Sequence, residues 1–534
     1  MLAIVQIIRE KGAAIGLELN ASKCVSLLGK IDAAVIAARR KDYREVLGFV
    51  DANIRQPSID AEFGAVCLGV PIGSDEFIQA HLQDYMADLL AQFDTCEAAA
   101  RKQDTWLFAH YILNAKLSYL TRLQHPRHCQ SILEAFVARF GKLARHLCGS
   151  DLSELQWLKA CLPITAGGMG IKDPFSVSKC AFLSSTLTAL PFLQDNKFIN
   201  DGDAWFVSNV HTLASEFISI TNMSPGCNVT DWIQQILDSK PANLQHKLYD
   251  QLMPLLIAKY EASMSKSDDA VRRYNSAKHP NARKFLLTIP RSAWSKFADA
   301  EFASAMRLRL DMPICPVSSL KCNCKKQTQL DAVGQHLLCC PNGGGWHLRH
   351  QFVLECFKRL AQQAGVQVAK PSAVVDTTSG KIKYTDLEFR PSEVFQGAAV
   401  VLDFSITYPS VSTTRRSISQ GAAAHMREAE KDKKYQVAVD KDNKIFVPIV
   451  LETHGYWSDK VDTFLSTLLK AAVARSRASF SSLRHYWTCE LSTALQRGNG
   501  CVIGERLDTL MSRYRQLTPS TVVYQQLLNQ GVVV

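Results

Sequence analysis

The chain has 534 residues, which is enough for roughly two to four domains with separate hydrophobic cores. Because 47% of the residues are hydrophobic and 21% are charged, the composition is that of a globular protein and excludes wholesale disorder. The formal net charge of +11 favours an anionic partner and gives mild support to nucleic acid.

The 16 cysteines are spread through a long chain without a convincing signal peptide. The apolar start, Met1–Ile8, meets Arg9 too soon and has no basic leader before it. Most cysteines are therefore predicted to be reduced and buried in an intracellular protein, with a subset free to bind metal. No stretch approaches the roughly 18–20 apolar residues of a membrane helix, so we expect a soluble protein without a membrane partner.

The N-terminal half reads mainly as helix. Residues 1–75 combine a helix-like opening with short strand-like pieces at Gly16–Leu19 and Val66–Val70. From Phe77 to about Leu147, apolar residues recur at steps of three and four without Gly or Pro until Pro126, which predicts helices. A turn at Ala166–Ile171 precedes another helical block.

The sequence pattern changes at about Pro313. Residues 190–300 are predicted to be mostly helical and carry no recognisable chemistry, whereas a Cys/His region and mixed elements follow. The predicted fold class is α+β, with a mostly helical N-terminal half and a small mixed α/β domain at the C-terminus. The elements predicted there are a helix at His350–Gly365, strands near Ile382–Phe389 and Ala398–Thr407, a helix at Ala422–Tyr435, a strand at Ile445–Leu451 and helices to about Arg497.

A cluster of Cys and His residues begins this region. Cys322 and Cys324 are followed by His336 and by the pair Cys339 and Cys340. Zinc prefers four thiolate or imidazole ligands in a tetrahedron, and two short-spaced pairs across a loop supply them. The alternative is two chance pairs of buried cysteines, since C-x-C is tighter than the usual C-x-x-C. A zinc ion held here would be structural, because protein fills all four positions.

Two acids lie in neighbouring predicted strands. Asp386 stands in the segment Tyr384–Phe389, and Asp403 interrupts the apolar run Val400–Ile406. A carboxylate in such a run is costly to bury unless it is paired or binds a metal. Restriction-type nucleases use acids on adjacent strands to hold Mg²⁺ near the scissile phosphate. The alternative for Asp403 is an edge strand on which its side chain faces water.

A lysine near these acids would complete a nuclease constellation. Lys431 and Lys434 are three residues apart in the predicted helix, so they share a face and either could reach the acids. The alternative is that these lysines lie on a solvent-exposed helix face, which is where charged residues of a helix usually lie.

Further candidates flank this site. Arg349 and His350 open the preceding helix, where they could contact phosphate. Glu355 is a possible extra metal ligand, and Glu452, at the end of the last strand, is a weaker one.

The order of these motifs resembles the endonuclease region of non-LTR retrotransposons whose restriction-like nuclease follows the polymerase. The resemblance implies zinc-knuckle ligands, an Arg/His motif, two metal-binding acids and a basic position with an aromatic companion. The zinc-knuckle ligands match Cys322, Cys324, His336 and Cys340, and the Arg/His motif matches Arg349 and His350. The two acids match Asp386 and Asp403, and the basic position matches Lys431 or Lys434, with Tyr435 as the aromatic companion. The resemblance also favours Cys340 over Cys339 as the fourth zinc ligand. This chain departs from the family at Thr385, where Pro is common, and in a somewhat long spacing between the acids.

The N-terminal half is similar to the same elements. Gly16–Cys24 looks like the reverse-transcriptase segment after the catalytic aspartates, and Leu68–Gly73 looks like the primer-grip hairpin. The helices to Leu147 would be the thumb, and Gly167–Ile171 is similar to a turn that follows it.

The polymerase aspartates of this family are expected before Gly16. The pair Asp268-Asp269 lies far beyond the thumb and is predicted to be a helix start or loop. We therefore expect no polymerase activity from this chain. A truncated gene model or a degenerate element copy would account for the missing aspartates.

The resemblance implies six segments and a function. We expect a nuclear protein that binds target DNA and element RNA, with structural Zn²⁺ and catalytic Mg²⁺, and that nicks DNA. The alternative functions are a non-catalytic nucleic-acid-binding relic, or a structural scaffold that neither binds nor cuts. The expected segments are a palm remnant (1–75), a thumb-like domain (76–190), a helical connector (191–312), a zinc knuckle (313–345), a restriction-endonuclease-like domain (346–497) and a C-terminal tail (498–534).

Overall fold

A computed structural model gives the fold of this chain. It describes residues 63–196, 207–221, 228–264, 267–315, 320–371, 373–410 and 418–517, with residue 204 and some positions before residue 63. The predicted Gly16–Cys24 motif lies almost wholly outside the described residues. The chain forms two compact units, the first from residues 1–92, 116–138 and 174–248, and the second from residues 93–115, 139–173 and 249–534.

The fold class is α+β, as the sequence predicts, because helices dominate and a small mixed sheet lies in the C-terminal part. No helix among the described residues is both long and apolar enough to cross a bilayer. The helices are α1 Asp75–Glu97, α2 Lys102–Phe108, α3 Asn114–Leu123, α4 Pro126–Cys148, α5 Glu154–Cys161, α6 Pro174–Asp195, α7 Thr212–Thr221, α8 Val229–Ser239, α9 Leu244–Met264, α10 Asp268–Ala277, α11 Asp299–Arg309, α12 Gln335–Cys339, α13 Gly345–Gln363, α14 Ala422–Lys441, α15 Asp459–Ala474 and α16 Phe480–Leu517. The strands are β1 Ser26–Leu27, β2 Ile54–Arg55, β3 Gly64–Cys67, β4 Val70–Gly73, β5 Val368–Ala369, β6 Ala373–Val375, β7 Ile382–Tyr384, β8 Leu387–Phe389, β9 Ala399–Thr407 and β10 Lys444–Glu452.

In the first unit, the strand-like piece Val66–Val70 is a hairpin instead of one strand. The strands β3 and β4 pair antiparallel, and Leu68 and Gly69 form the turn with φ values of 51° and 79°. Positive φ at both central positions is the geometry of tight hairpin turns, and glycine adopts it without steric cost. The Tyr119 hydroxyl donates to the Leu68 carbonyl oxygen at 2.8 Å and holds the turn.

The helical prediction for Phe77–Leu147 is confirmed, but the helices break where neither Gly nor Pro occurs. After α1 ends at Glu97, Arg101 adopts an extended backbone with φ −143° and ψ 144°. Its guanidinium Nε donates to the Asp104 carboxylate at 2.8 Å in the first turn of α2. A π-helical turn, Ala109–Leu113, then joins α2 to α3.

The expectation of helix across residues 190–300 is also confirmed where the structure describes them. Asp268 and Asp269 form the first turn of α10, as predicted for a helix start. The Ser267 hydroxyl accepts the N–H of Ala270 at 3.3 Å and caps this helix, whose N-terminal dipole favours the two acids.

The C-terminal sheet has the order β10-β9-β8-β5. Parallel strands β9 and β10 are joined by α14, whereas β8 pairs antiparallel with both β9 and β5. The predicted strand Ile382–Phe389 is two strands, because the chain bends at Asp386 and β7 pairs with β6 in a separate hairpin. β9 is therefore an interior strand, with a neighbour on each side.

The core of the C-terminal part lies between this sheet and α13, α15 and α16. Phe389, Phe395 and Phe464 stack there with ring centroids 5.8–6.1 Å apart. α16 continues to Leu517, beyond the predicted helical end near Arg497. A Cβ at Gly498 would lie 2.6 Å from the Arg349 Cα, so this glycine allows α13 to approach closely.

Candidate functional site

The Cys/His residues meet at the start of α12. His336 lies in the first turn of this helix, and Cys340 follows its last residue. The Asp331 carboxylate accepts the backbone N–H groups of Gln335 and His336 at 2.7 and 2.9 Å. This cap orients the helix start, so the His336 ring faces the Cys324 thiol.

The geometry of the four predicted ligands fits a tetrahedral zinc ion. The Sγ atoms of Cys322 and Cys340 are 3.9 Å apart, and the Cys324 Sγ lies 3.6 Å from the His336 Nε2. Zinc bonds of about 2.3 Å to sulfur and 2.0–2.1 Å to nitrogen place tetrahedral ligand atoms roughly 3.5–3.8 Å apart. All four ligand atoms lie within 4.8 Å of one another. This cluster could hold a zinc ion, whereas the Cys339 side chain is exposed outside it.

Arg506, on α16, supports the cluster from outside. Its Nη1 donates to the Cys322 Sγ at 3.4 Å, and its Nη2 donates to the Cys340 carbonyl oxygen at 2.7 Å. Donors to ligating thiolates orient them and stabilise their charge. The backbone N–H of Thr328, with help from His336, lowers the pKa of the Cys324 thiol to about 6. Arg506 was not predicted, because sequence spacing gives no sign of a contact so distant along the chain.

The second candidate centre lies on the face of the sheet that α14 covers. Val400, Leu402 and Phe404 of β9 enter the main core, whereas Val401 packs beneath α14. Strand alternation puts Asp403 on the same face as Val401, and its side chain is buried. The edge-strand alternative for Asp403 is wrong, because β9 lies between β8 and β10.

Lys431 of α14 provides the partner that the buried acid requires. Its ammonium contacts the Asp403 Oδ2 and also donates to the Phe404 carbonyl oxygen at 3.3 Å. Burial lowers the pKa of Lys431 to about 8, Asp386 opposes this shift, and the charges of Lys434 and Lys383 add to it. Lys431 thus contacts Asp403 directly, and its pKa responds to the charge of Asp386.

Asp386 lies at the bend just before β8, the strand that pairs with the Asp403 strand. Leu387 pairs in register with Leu402, so Asp386 lies opposite Asp403, and its N–H donates to the Leu402 carbonyl oxygen at 3.1 Å. The Asp386 Oδ2 accepts the Phe404 N–H at 2.6 Å and lies 3.2 Å from the His350 Nε2. His350 therefore contacts a predicted metal ligand, and this contact fixes the Asp386 carboxylate.

Two predicted nucleic-acid-binding side chains are buried. Arg349 donates to the Leu338 carbonyl oxygen at 2.9 Å and to the Asn499 Oδ1 at 3.1 Å. Burial lowers the pKa of its guanidinium to about 10. Tyr435 packs on Phe446 with ring centroids 5.7 Å apart. This geometry gives both side chains a packing role and lends no support to nucleic-acid contact.

The other candidate residues each have contacts of their own. Lys434 is half-buried, and its backbone carbonyl oxygen accepts the Thr377 N–H at 3.0 Å. Glu355 lies 3.8 Å from the Lys358 ammonium. Glu452 pairs in register with Thr407, beyond Asp403 on β9, and its Oε1 accepts the Ala424 N–H at 3.2 Å.

Asp376, a residue that the sequence analysis did not single out, braces the loop beside α14. Its Oδ1 accepts the N–H and hydroxyl of Thr378, and its Oδ2 lies 3.3 Å from the Lys383 ammonium. These hydrogen bonds, the Thr378 hydroxyl foremost, lower the pKa of Asp376. Asp376–Gly380 is a recognisable turn sequence, so this hairpin could have been found from the chain alone.

Profiles of known protein families gave no match to this chain, and a search of curated proteins found no significant relative. The likeness to non-LTR retrotransposons thus rests on the sequence motifs. The chain therefore presents two centres: a Cys₃His cluster able to hold zinc, and a buried Asp403–Lys431 pair with Asp386 opposite Asp403 at the start of the neighbouring strand.

Proposed function

We propose that the C-terminal part of this chain is a metal-dependent endonuclease that nicks DNA. The observation that carries the proposal is the buried Lys431 ammonium on Asp403, with Asp386 opposite on the neighbouring strand. Hard oxygen ligands and a nearby cation are what magnesium-dependent phosphodiester hydrolysis needs. The proposed nuclear location, the DNA and RNA partners and the origin in a retrotransposon rest on the sequence resemblance.

Each residue has a proposed role. Asp386 and Asp403 would hold Mg²⁺, which supplies Lewis acidity and activates water when bound. The His350 contact would keep the Asp386 carboxylate in place, since Nε2 lies 3.2 Å from its Oδ2. Lys431 would stabilise the negative charge that develops on the phosphate, because an ammonium in a water-poor site acts more strongly than one in solvent. Cys322, Cys324, His336 and Cys340 would hold structural zinc.

Supercoiled-plasmid nicking in Mg²⁺ tests the proposal. Asp403→Asn keeps the shape of the side chain but removes its charge, and Lys431→Met removes the cation. We expect each to lower the nicking rate about a hundredfold or more. The matched controls are Asp508→Asn and Lys433→Met, whose parent side chains are exposed on α16 and α14, and both should nick like the parent chain.

Thermal unfolding of each variant separates lost chemistry from lost folding. If Lys431→Met is unstable, the nicking rate of Asp403→Asn, measured at a temperature where this variant is folded, still tests the proposal. Salt-sensitive DNA binding without nicking in Mg²⁺ or Mn²⁺ would contradict the endonuclease and leave a non-catalytic nucleic-acid-binding protein.

A further inference from the structure

A separate cleft opens in the second unit. It has a volume of about 550 Å³, which is within the range of small-ligand pockets. Its walls come from the turn after α2, the segment before α11 and the first turns of α16, and they include Tyr111, Ile289, Arg291, His485, Tyr486 and Glu490. Neither carboxylate of the proposed nuclease centre lines it.

Two tyrosine rings are presented at this cleft. Tyr111 is 55% exposed and Tyr486 is 36% exposed, so part of each side chain is open to solvent at the cleft. The Tyr486 hydroxyl accepts a hydrogen bond from the Arg359 Nη2 at 3.3 Å. The Arg359 guanidinium lies 5.1 and 5.2 Å from the ring centroids of Trp294 and Trp487, which holds it in place. The Tyr486 ring is therefore a fixed platform.

The charge around the cleft is positive. Arg291 lines it, and the charges of Lys284 and Arg291 add to burial in lowering the pKa of His485. The positive charge therefore comes from Arg291 and Lys284, while the neutral His485 imidazole can donate one hydrogen bond to a phosphate. The acid in the lining, Glu490, is neutralised by Arg359, whose Nη1 donates to its Oε2 at 2.9 Å. An anionic group would thus meet basic side chains without an unpaired carboxylate beside them.

We propose that this cleft binds one nucleotide unit, with the base against Tyr111 and Tyr486 and the phosphate at Arg291 and His485. Aromatic platforms beside basic side chains recognise unpaired nucleotides through stacking and charge, with little sequence preference. The ligand chemistry is a nucleoside monophosphate, and its source is either an unpaired position in a strand or a free mononucleotide. This site is independent of the proposed nuclease centre.

Anisotropy of a fluorescein-labelled oligothymidylate of about 12 nucleotides, titrated with the full chain, tests the cleft. Tyr111→Ala and Arg291→Ala should each weaken binding about tenfold, because base stacking and one phosphate contact are lost. Phe192→Ala and Arg145→Ala are the controls, since these exposed side chains lie outside the cleft, and they should bind like the parent chain.

An abasic strand of equal length isolates the stacking contact. It should bind the parent chain more weakly than the thymidylate, and Tyr111→Ala should weaken it no further. Competition by thymidine monophosphate well below millimolar concentration would identify free nucleotide as the source, and its failure to compete would identify the strand. The proposal would be overturned if both cleft variants bound the thymidylate and the mononucleotide as tightly as the control variants do.

The nuclease assay keeps the two proposals distinguishable. Asp403→Asn should bind the thymidylate normally, and Tyr111→Ala should nick saturating plasmid at the parent rate. Absence of nicking by the parent chain, or parent-like nicking by Asp403→Asn, would contradict the nuclease alone. Unchanged strand binding in the cleft variants would contradict the cleft alone.

Discussion

The face of α14 that each lysine occupies decides that Lys431 is the one that contacts Asp403. Lys431 shares the buried stripe of this helix with Glu428 and Tyr435, at helical spacing. A buried lone ammonium or carboxylate is costly, so each of Lys431 and Asp403 needs the other in the folded chain. The sequence predicts that a lysine is there, but it does not give the rotation of the helix that selects one of them.

Glu452 should make the stability of the fold depend on pH. Its side chain is 1% exposed, and burial raises its pKa from 4.5 to about 7. The folded chain therefore holds a proton that the unfolded chain has released between these values, so stability falls as pH rises from about 4.5 to 7. Glu452→Gln should remove this dependence, with a gain over the parent chain of up to about 3 kcal/mol at pH 8 relative to pH 4.5.

Urea unfolding at several pH values measures the difference between this variant and the parent chain. Glu430→Gln is the control, because Glu430 is exposed on α14 and its pair with Arg427 is solvated. A constant stability difference between Glu452→Gln and the parent chain across this range would contradict the prediction.

At the scale of elements, the long patterns are the ones that the sequence predicts well. β9, α14 and β10 were expected within a few residues of their observed starts, because an apolar strand and an Ala-rich helix are consistent over many positions. β5 and β6, with two and three residues, were missed. Strands this short have too few residues for a sequence pattern and form only because they pair with a neighbouring strand. The bend at Asp386 was missed for the same reason, since it depends on pairing with β9.

The neighbouring cysteines at the end of α12, Cys339 and Cys340, allow a matched test of the metal cluster. Chain purified with Zn²⁺ should contain one equivalent of zinc, and Cys340→Ser should lose it, because a tetrahedral site without one thiolate binds far more weakly. Cys339→Ser should keep the metal, since the Cys339 side chain is exposed outside the cluster. Mass spectrometry of bound metal and thermal unfolding measure both properties. Equal zinc content in the two variants would contradict the ligand assignment.

At the scale of the whole chain, composition and pattern predict the class but not the supporting contacts. The α+β class and the mainly helical first half follow from periodicities that extend over many residues. The contacts of Arg506 with the cluster and of Asn499 with Arg349 join elements that are distant in sequence. A single sequence contains no record of such pairs, so this support could not have been predicted.

The net charge of +11 leads to a prediction for binding to duplex DNA. If basic side chains contact phosphates, the logarithm of the affinity should fall linearly with the logarithm of salt concentration. We expect a loss of about tenfold or more between about 50 and 200 mM salt, which corresponds to at least two neutralised phosphates. Anisotropy measures it, with thermal unfolding in the same buffers as the control. An affinity that does not change with salt would contradict a phosphate-based interface.

α16 connects three features that were described separately. His485 and Tyr486 lie near its start, and Gly498 meets α13 in its middle. Further on, Arg506 donates to the Cys322 thiol and the Cys340 carbonyl oxygen. At about 1.5 Å per residue, its 38 residues extend about 57 Å as a single rod. A rod of fixed pitch sets both the distance and the rotation between the groups along it. One residue inserted after Gly498 would turn Arg506 by about 100° away from the thiols and leave the nucleotide cleft unaltered.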